Sequence, residues 1–165
     1  SCCKELDPLK CQGCNGCDLL GFWMFPPYMV EEDCWPYTSE TGSVEGCRTE
    51  CPTGLEWKLY TMSDSKVLYS PEEIIEEIPK FGPAATEFIV YEDFLNYKSG
   101  IYQHVTGLHK GKHVVPIIGF GTEGDIDYFI AENTWGPEWG ESGYFRIQNN
   151  EAQFGKTGYS AVPDI

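Results

Sequence analysis

All eight cysteines of this 165-residue chain lie in its first third, between Cys2 and Cys51. Clustered cysteines in a turn-rich stretch are typical of a region held by disulfides in an oxidising compartment. Zinc is the alternative, because two residues separate Cys11 from Cys14 and two more separate Cys14 from Cys17. These pairs overlap on Cys14 and lack a second, separate pair of ligands. Disulfides are therefore favoured, and we predict no metal.

The composition limits the partners that the chain can have. Its formal net charge is −15, from 26 acidic and 11 basic residues. Such a surface repels nucleic acid and anionic lipid, so we expect neither nucleic acid nor membrane as a partner. The first residues do not read as a signal peptide. We expect either that a leader has been removed or that the chain is a fragment.

The pattern of turn residues divides the chain at about residue 60. Residues 1–60 are rich in cysteine, proline and glycine, with one short helix predicted at residues 18–25 and an irregular loop at residues 34–57. Residues 61–165 read mainly as short strands separated by turns, which favours an antiparallel sheet or barrel. The strands are predicted at residues 84–91, 100–104, 113–120, 128–133, 143–148 and 160–162.

One helix is clearly marked. Ser70 has the character of an N-cap, Pro71 suits the first helical position, and Glu73 completes a capping box. An apolar face follows, made of Ile74, Ile75 and Ile78. Pro79, together with Gly82-Pro83, is predicted to end the helix.

The candidate chemistry lies on two predicted strands. His113 begins one apolar strand, and Asn133 ends the next, 20 residues later, with Trp135 close behind. A lone histidine is usually a core residue, and a lone asparagine is usually a turn residue. Together they offer what a cysteine nucleophile needs: a base that takes and returns its proton, and a group that fixes the tautomer of that base. The indole would shield their hydrogen bond from water.

The segments around these residues resemble the papain family of cysteine peptidases. That resemblance is carried by residues 113–121, 133–136 and 139–145, and residues 1–3, 11–16, 90–94 and 97–107 resemble the cathepsin B group, with cathepsin C a near relative. It implies an α+β, papain-like fold. Residues 61–165 would form mainly the antiparallel β-barrel right domain, and residues 1–60 the disulfide-rich end of the helical left domain. His113 would be the catalytic base, Asn133 its orienting partner and Trp135 the shield.

The resemblance also implies that the nucleophile lies outside this chain. Papain-type enzymes carry it in a Cys-Gly-Ser-Cys-Trp context, with the histidine and asparagine about 130–150 residues downstream. Cys34-Trp35 has the right dipeptide, but Cys34 lies 79 residues before His113. We therefore expect the cysteine and the oxyanion glutamine to precede Ser1. An N-terminal segment or light chain would be the partner that supplies them, and this chain alone would hydrolyse nothing.

The same resemblance implies a disulfide pattern. The expected pairs are Cys2–Cys47, Cys3–Cys11 and Cys34–Cys51. Cys14 and Cys17 then remain. Either they close onto each other, or both reach into the absent segment.

Several residues depart from the family pattern. Cys17 follows Gly16 where the family has a second glycine that offers its backbone to substrate. Lys112 replaces a glycine before the base, where its charge would favour neutral imidazole and its bulk would crowd the cleft, unless its stem simply points to solvent. Pro116 interrupts a strand that should be central. Tyr159 falls near the floor of the main specificity pocket, in place of an acidic residue, which would remove a preference for arginine.

We therefore expect a cathepsin B-like cysteine endopeptidase that acts on peptide or protein substrates without a cofactor. The loop from Cys34 to Cys47 is short and has no histidine pair, so the occluding loop of cathepsin B is expected to be absent. The expected location is lysosomal, endosomal or secreted. The alternative is a catalytically inactive pseudoprotease that serves as a binding or structural module, which Cys17, Lys112 and Pro116 favour.

Overall fold

The computed structural model describes residues 29–36, 38, 50–52 and 54–164. The chain divides into two compact units, Ser1–Ser65 with Val162–Ile165 and Lys66–Ala161. The helix predicted at residues 18–25 and most of the loop predicted at residues 34–57 lie outside the described residues. The candidate chemistry belongs to the second unit.

A seven-stranded sheet dominates the described residues, with the strand order β1-β7-β2-β4-β5-β6-β3. The sheet is antiparallel where β2 pairs with β4 and β7 and where β5 pairs with β4 and β6, but β3 pairs with β6 in parallel. The strands are β1 (Thr61–Leu68), β2 (Ala84–Tyr91), β3 (Ile101–Tyr102), β4 (His109–Glu123), β5 (Ile126–Glu132), β6 (Tyr144–Gln148) and β7 (Gly158–Asp164).

The prediction of an α+β fold is confirmed, with two corrections. The predicted antiparallel pairing is present where β2 pairs with β4 and β7 and where β5 pairs with β4 and β6, but β3 runs parallel to β6. Strand β1 was not predicted, since it is largely exposed and its polar sequence lacks an alternating apolar face. The predicted strand at residues 84–91 is confirmed as β2, and Thr86, Phe88 and Val90 are buried on one face as expected.

Two α-helices and a short 3₁₀ helix accompany the described strands: α1 (Pro71–Phe81), α2 (Glu92–Leu95) and Glu151–Gln153. The predicted cap of α1 is present, because Ser70 Oγ accepts from the main-chain N–H of Glu73 at 3.2 Å. The predicted end of α1 at Gly82-Pro83 is confirmed, but Pro79 does not contribute to it as expected. Pro79 lies within the last turn, where only one main-chain bond is lost, and the helix continues to its C-cap at Gly82.

The core beneath the sheet is aromatic. Five phenylalanines are fully buried in it: Phe88, Phe94, Phe129, Phe145 and Phe154. The ring of Phe88 on β2 lies 5.1 Å from Phe94 and 5.2 Å from Phe154, both edge to face. This rigid floor lies directly beneath the candidate site, because Phe88 is paired with His113 across β2 and β4.

Candidate active site

Two neighbouring antiparallel strands bring the candidate pair together. His113 lies on β4, on the same face as the buried Val115 and Ile117. Asn133 follows the last residue of β5, which is antiparallel to β4. The sheet register therefore places a residue from the middle of β4 beside the end of β5, although 20 residues separate them in sequence.

The imidazole of His113 is held by the side chain of Asn133. Nε2 of His113 lies 2.9 Å from Oδ1 of Asn133, and the main-chain N–H of Thr134 donates to that same oxygen at 2.9 Å. A donor from the Thr134 main chain identifies this amide atom as the acceptor. Nε2 must then carry the hydrogen, so the neutral ring keeps its basic lone pair on Nδ1. Nδ1 is therefore the atom that can accept a proton.

Asn133 is fixed on several sides. Its side chain is buried, with the residue only 7% exposed, and its main-chain N–H donates to the carbonyl of Gly143 at 2.8 Å. Among the described residues, the buried Nδ2 group has no hydrogen-bond partner. A native protein retains such a donor only where the surrounding packing holds it, because an unsatisfied buried polar group is costly. The position of the amide is thus set by packing and by its oxygen.

An aromatic cluster covers the pair. The indole of Trp135 stacks on His113, with ring centres 5.2 Å apart and an interplanar angle of 18°. Phe94 and Trp139 meet the indole edge to face at 5.7 and 5.0 Å. Trp139 is held in turn by a hydrogen bond from its Nε1 to the carbonyl of Leu95 at 3.1 Å. The sequence indicated Trp135, but the supporting role of Phe94 was missed, because it depends on α2 packing against a distant segment.

Lys112 lies beside the pair but on the other face of the sheet. Side chains alternate along a strand, and Lys112 is exposed whereas His113 is half-buried and lies against the buried ring of Phe88. The ammonium of Lys112 lies 2.6 Å from Oε1 of Glu87, its diagonal neighbour on β2. Glu87 was not predicted from the sequence. The feature that could have indicated it is its outward position on β2. The pairing directs the lysine charge toward a carboxylate.

Pro116 does not interrupt β4, which runs unbroken from His109 to Glu123. The proline lies opposite Ala85 of β2, whereas pairing with β5 begins only at Ile117. The strand tolerates it because it has one paired neighbour at that point rather than two.

The remaining predicted site residues are placed only in part. Tyr159 lies on β7, also opposite Ala85, at a distance along the sheet from β5. Cys34 and Cys51 form a disulfide. The other predicted residues lie outside the described ranges, namely Gly16 and Cys17, the pairs Cys2–Cys47 and Cys3–Cys11, and Cys14.

The segment that leads into β4 is organised by one carboxylate, which sequence reasoning also missed. Asp93 accepts hydrogen bonds from the hydroxyl of Tyr102 at 2.6 Å and from the main-chain N–H groups of Val105 and Thr106 at 2.8 and 3.0 Å. His104 Nδ1 lies 3.0 Å from it. Burial by itself would raise the pKa of Asp93, but these hydrogen bonds outweigh burial and hold the pKa well below its usual range.

A second network holds the segment between β5 and β6. Glu141 receives two hydrogen bonds from the guanidinium of Arg146, at 2.8 and 3.1 Å, and one from the main-chain N–H of Gly100 at 2.8 Å. The hydrogen bonds from Arg146 lower the pKa of the Glu141 carboxyl. The two hydrogen bonds form a bidentate, charge-assisted pair, which fixes the orientation of the guanidinium as well as its distance from the carboxylate.

Within residues 29–36, 38, 50–52 and 54–164, no group of three or more histidine, cysteine or acidic side chains has a geometry that could hold a metal. In the same ranges, no helix combines the length and apolar character that crossing a bilayer requires.

The chain belongs to the papain family of cysteine proteases, whose family model matches residues 1–162. Its relatives are cathepsin B-like. It is 37% identical over 160 residues to cathepsin B-like protease 1 of Arabidopsis thaliana, covering 87% of this chain and 42% of that protein. It is 35% identical over 167 residues to cathepsin B of Dictyostelium discoideum, covering 90% of this chain and 52% of that protein.

Among solved structures, procathepsin B S9 from Trypanosoma congolense matches with a TM-score of 0.87 and 29% identity, covering all of this chain and 58% of that one. The chain thus spans about half the length of the curated relatives that it matches.

Proposed function

We propose that this chain supplies the general base and its orienting partner to a cathepsin B-like cysteine endopeptidase, and that a segment outside the chain supplies the nucleophilic cysteine. His113 is the base, Asn133 orients it and Trp135 shields their hydrogen bond. The observation that carries the proposal is the 2.9 Å contact between His113 Nε2 and Asn133 Oδ1 beneath the stacked indole. It leaves Nδ1, the other ring nitrogen, available to accept a proton from a thiol.

The proton transfers of the proposed reaction follow from that arrangement. The cysteine thiol gives its proton to Nδ1 of His113, and the thiolate attacks the carbonyl carbon of the scissile peptide bond. The imidazolium returns the proton to the leaving amine, and a thioester remains. Water then attacks the thioester while Nδ1 takes its proton, and collapse releases the acid and restores the thiol. Asn133 keeps the ring in one orientation throughout.

The alternative is an inactive family member that serves as a binding or structural module. In the sequence, Lys112 and Pro116 favoured this inactive module. The ion pair between Lys112 and Glu87 weakens the argument from Lys112, and the unbroken course of β4 weakens the argument from Pro116. Cys17 remains as an argument for the inactive module, and it lies outside the described residues.

The finer assignments also remain proposals. The protein would act inside peptide chains, because the loop between Cys34 and Cys47 is too short to carry an occluding loop. Tyr159 would shorten the main specificity pocket, and Gly16 and Cys17 would offer main-chain groups to the substrate. A lysosomal, endosomal or secreted location fits the disulfide between Cys34 and Cys51.

The decisive experiment joins this chain to the segment encoded immediately before it in its gene. We expect the assembled protein to cleave peptide substrates and to be labelled on one cysteine by an epoxide inhibitor of papain-type enzymes, and the 165-residue chain alone to do neither. His113→Ala should abolish both activities. His109→Ala is the matched control, because His109 is an exposed histidine on the same strand, and it should retain them.

A serine or glycine in the Cys-Gly-Ser-Cys-Trp position of that gene would end the enzymatic proposal. So would an assembled protein that is folded but is neither labelled nor active. Either result would support the inactive module.

A further inference from the structure

A pocket of about 340 Å³ opens beside Asn133, between the end of β5, the start of β6 and the segment that joins them. Its lining residues are Glu132, Asn133, Thr134, Gly136, Pro137, Ser142, Gly143 and Tyr144. The volume lies at the lower end of the range for small-ligand sites. Asn133 contributes to the wall, whereas His113 and Trp135 do not line this pocket.

The wall of the pocket pairs a carboxylate with an aromatic ring. Glu132 and Tyr144 are direct partners across β5 and β6, so their side chains stand next to each other on one face of the sheet. Both are exposed, Tyr144 to 39%. Among the described residues, Glu132 makes no hydrogen bond or ion pair that would neutralise it. A carboxylate beside a ring face is a favourable setting for a cation.

The remaining polar groups of the pocket also favour a cation over an anion. The main-chain N–H groups of Thr134, Gly143 and Tyr144 are already bonded to Asn133 Oδ1, to the Trp139 carbonyl and to the Glu141 carbonyl. They are therefore not free to bind an anion. What remains on the side chains is the carboxylate of Glu132 and the hydroxyls of Thr134 and Ser142, which can accept or donate hydrogen bonds. Nδ2 of Asn133 is a donor without a partner among the described residues, but it is buried and offers a ligand almost no surface.

The same sheet already holds one planar cation between carboxylates and a tyrosine ring, and that cation is a side chain of the chain itself. Arg146 stands two residues after Tyr144 on β6, and its guanidinium lies 5.7 Å from the ring centre of Tyr128. The guanidinium also donates to Glu123 at 3.2 Å and to Glu141 at 2.8 Å. A planar cation is thus held between carboxylates and a tyrosine ring on this face of β5 and β6. Such cations suit carboxylates because their N–H groups are fixed in a fork.

We propose that the pocket beside Asn133 is a binding site for a planar organic cation, a guanidinium or amidinium, held by the carboxylate of Glu132 and the ring of Tyr144. An arginine side chain of a polypeptide and a small free amidine share this chemistry. The proposal goes beyond the proteolytic function and does not depend on it, because binding requires no nucleophile.

The test is a chemical-shift titration of the ¹⁵N-labelled 165-residue chain with two matched pairs of probes. The first pair is N-acetyl-arginine amide and its neutral isostere N-acetyl-citrulline amide, and the second is benzamidine and benzamide. We expect each cation to shift the amide signals of Glu132, Thr134 and Tyr144 saturably, and each neutral isostere to bind at least about five-fold more weakly. Tighter binding of the arginine compound would identify a polypeptide side chain as the source, and tighter binding of benzamidine a free amidine.

Two charge variants make the test specific. Glu132→Gln should raise the Kd of the cation at least about five-fold, because it removes the charge and keeps the shape. Glu138→Gln should leave the Kd unchanged, since Glu138 is exposed in the neighbouring segment but does not line the pocket. Tyr144→Phe should also retain binding, because the ring remains.

Three results would overturn the proposal: equal binding of citrulline and arginine, an unchanged Kd in Glu132→Gln, or an equal loss in Glu138→Gln. The last would mean that only the overall negative charge attracts the probe. Because the readout is binding, a negative result leaves the proteolytic proposal intact, and an inactive protein can still give a positive one.

Discussion

At the scale of single residues, the most informative atom is Oδ1 of Asn133. It accepts from two donors, His113 Nε2 and the main-chain N–H of Thr134, while Nδ2 of the same amide is buried without a partner. Within the described residues, the oxygen of this amide is therefore hydrogen-bonded and its NH₂ group is not. The surrounding packing holds the amide in place, and its oxygen in turn holds the imidazole.

Asn133→Ala tests this account. The substitution removes both hydrogen bonds to the oxygen but also removes the unpaired donor, so the two effects on stability oppose each other. We expect the free energy of unfolding to fall by about 1–2 kcal/mol, measured by urea denaturation of the chain. In the assembled protein, kcat should fall much more than KM rises, because an unoriented imidazole affects the chemical step. A loss confined to KM would contradict an orienting role.

The Lys112–Glu87 pair makes a second prediction at this scale. Glu87→Gln removes one negative charge beside Lys112, so the positive charge of the lysine is less compensated and should disfavour the imidazolium of His113. We expect kcat/KM of the assembled protein to fall about two- to three-fold at low salt. The double variant Glu87→Gln with Lys112→Gln should recover most of the loss.

A substitution in a different ion pair provides the control for these single and double variants. Glu76→Gln breaks the exposed pair with Lys80 in α1 and should leave kcat/KM unchanged. If the double variant were as slow as Glu87→Gln alone, the effect would come from the glutamate itself rather than from the less compensated charge of Lys112.

At the scale of elements, the sequence predicted what local patterns encode. The alternation in β2 and the cap of α1 are local signals, and the structure contains both. What the sequence did not predict depends on contacts between distant segments. The exposed β1 lacks an apolar face, and Asp93 acts through hydrogen bonds to residues 102–106 that no short pattern indicates. The sequence left open whether Lys112 crowds the cleft or points to solvent, and the register of β2 against β4 was needed to decide between them.

Asp93 in helix α2 should make the free energy of unfolding depend on pH. The pKa of Asp93 is lowered in the folded protein, so its contribution to stability is complete above the ordinary pKa of about 3.9 and is lost as the pH falls through the lower, folded value. Unfolding free energy should therefore decrease steadily below about pH 4. Circular dichroism during urea unfolding at several pH values would measure it.

Asp93→Asn should alter both the level and the slope of that curve. At pH 7 it should cost about 1–3 kcal/mol, because a charged acceptor of several hydrogen bonds becomes a neutral one. Below pH 4 its stability should change less steeply than that of the wild type, with the residual slope coming from groups such as Glu141, whose pKa is also lowered. Parallel curves for the two proteins would show that Asp93 is not a principal acid-sensitive group.

At the scale of the whole molecule, a strongly acidic chain of net charge −15 carries the candidate base on a sheet that is mostly antiparallel. The relatives are about twice as long as this chain. The proposed chemistry is accordingly shared between this chain and a segment outside it, and any account of turnover must include both.

The disulfide between Cys34 and Cys51 should stabilise the folded chain measurably. It closes a loop with a sequence separation of 17 residues. A loop of that size is expected to stabilise the folded state by about 3 kcal/mol through the entropy of the unfolded chain. The double variant Cys34→Ala with Cys51→Ala should lower the unfolding free energy by about 2–4 kcal/mol, measured by urea denaturation. An unchanged midpoint would mean that the loop is already constrained by other contacts.

The pairing of β4 with β5 has a consequence for the order in which the site forms. These strands are consecutive and are joined by a short turn between Glu123 and Ile126, so His113 and Asn133 meet within a single hairpin. The entropy cost of closing a loop grows only slowly with its length, and contacts between residues that are near in sequence form quickly in folding. His113 and Asn133 can thus come together early, before contacts between more distant segments form. Since the proposed nucleophile lies outside this hairpin, the proposed site would be completed only when a second segment packs against it.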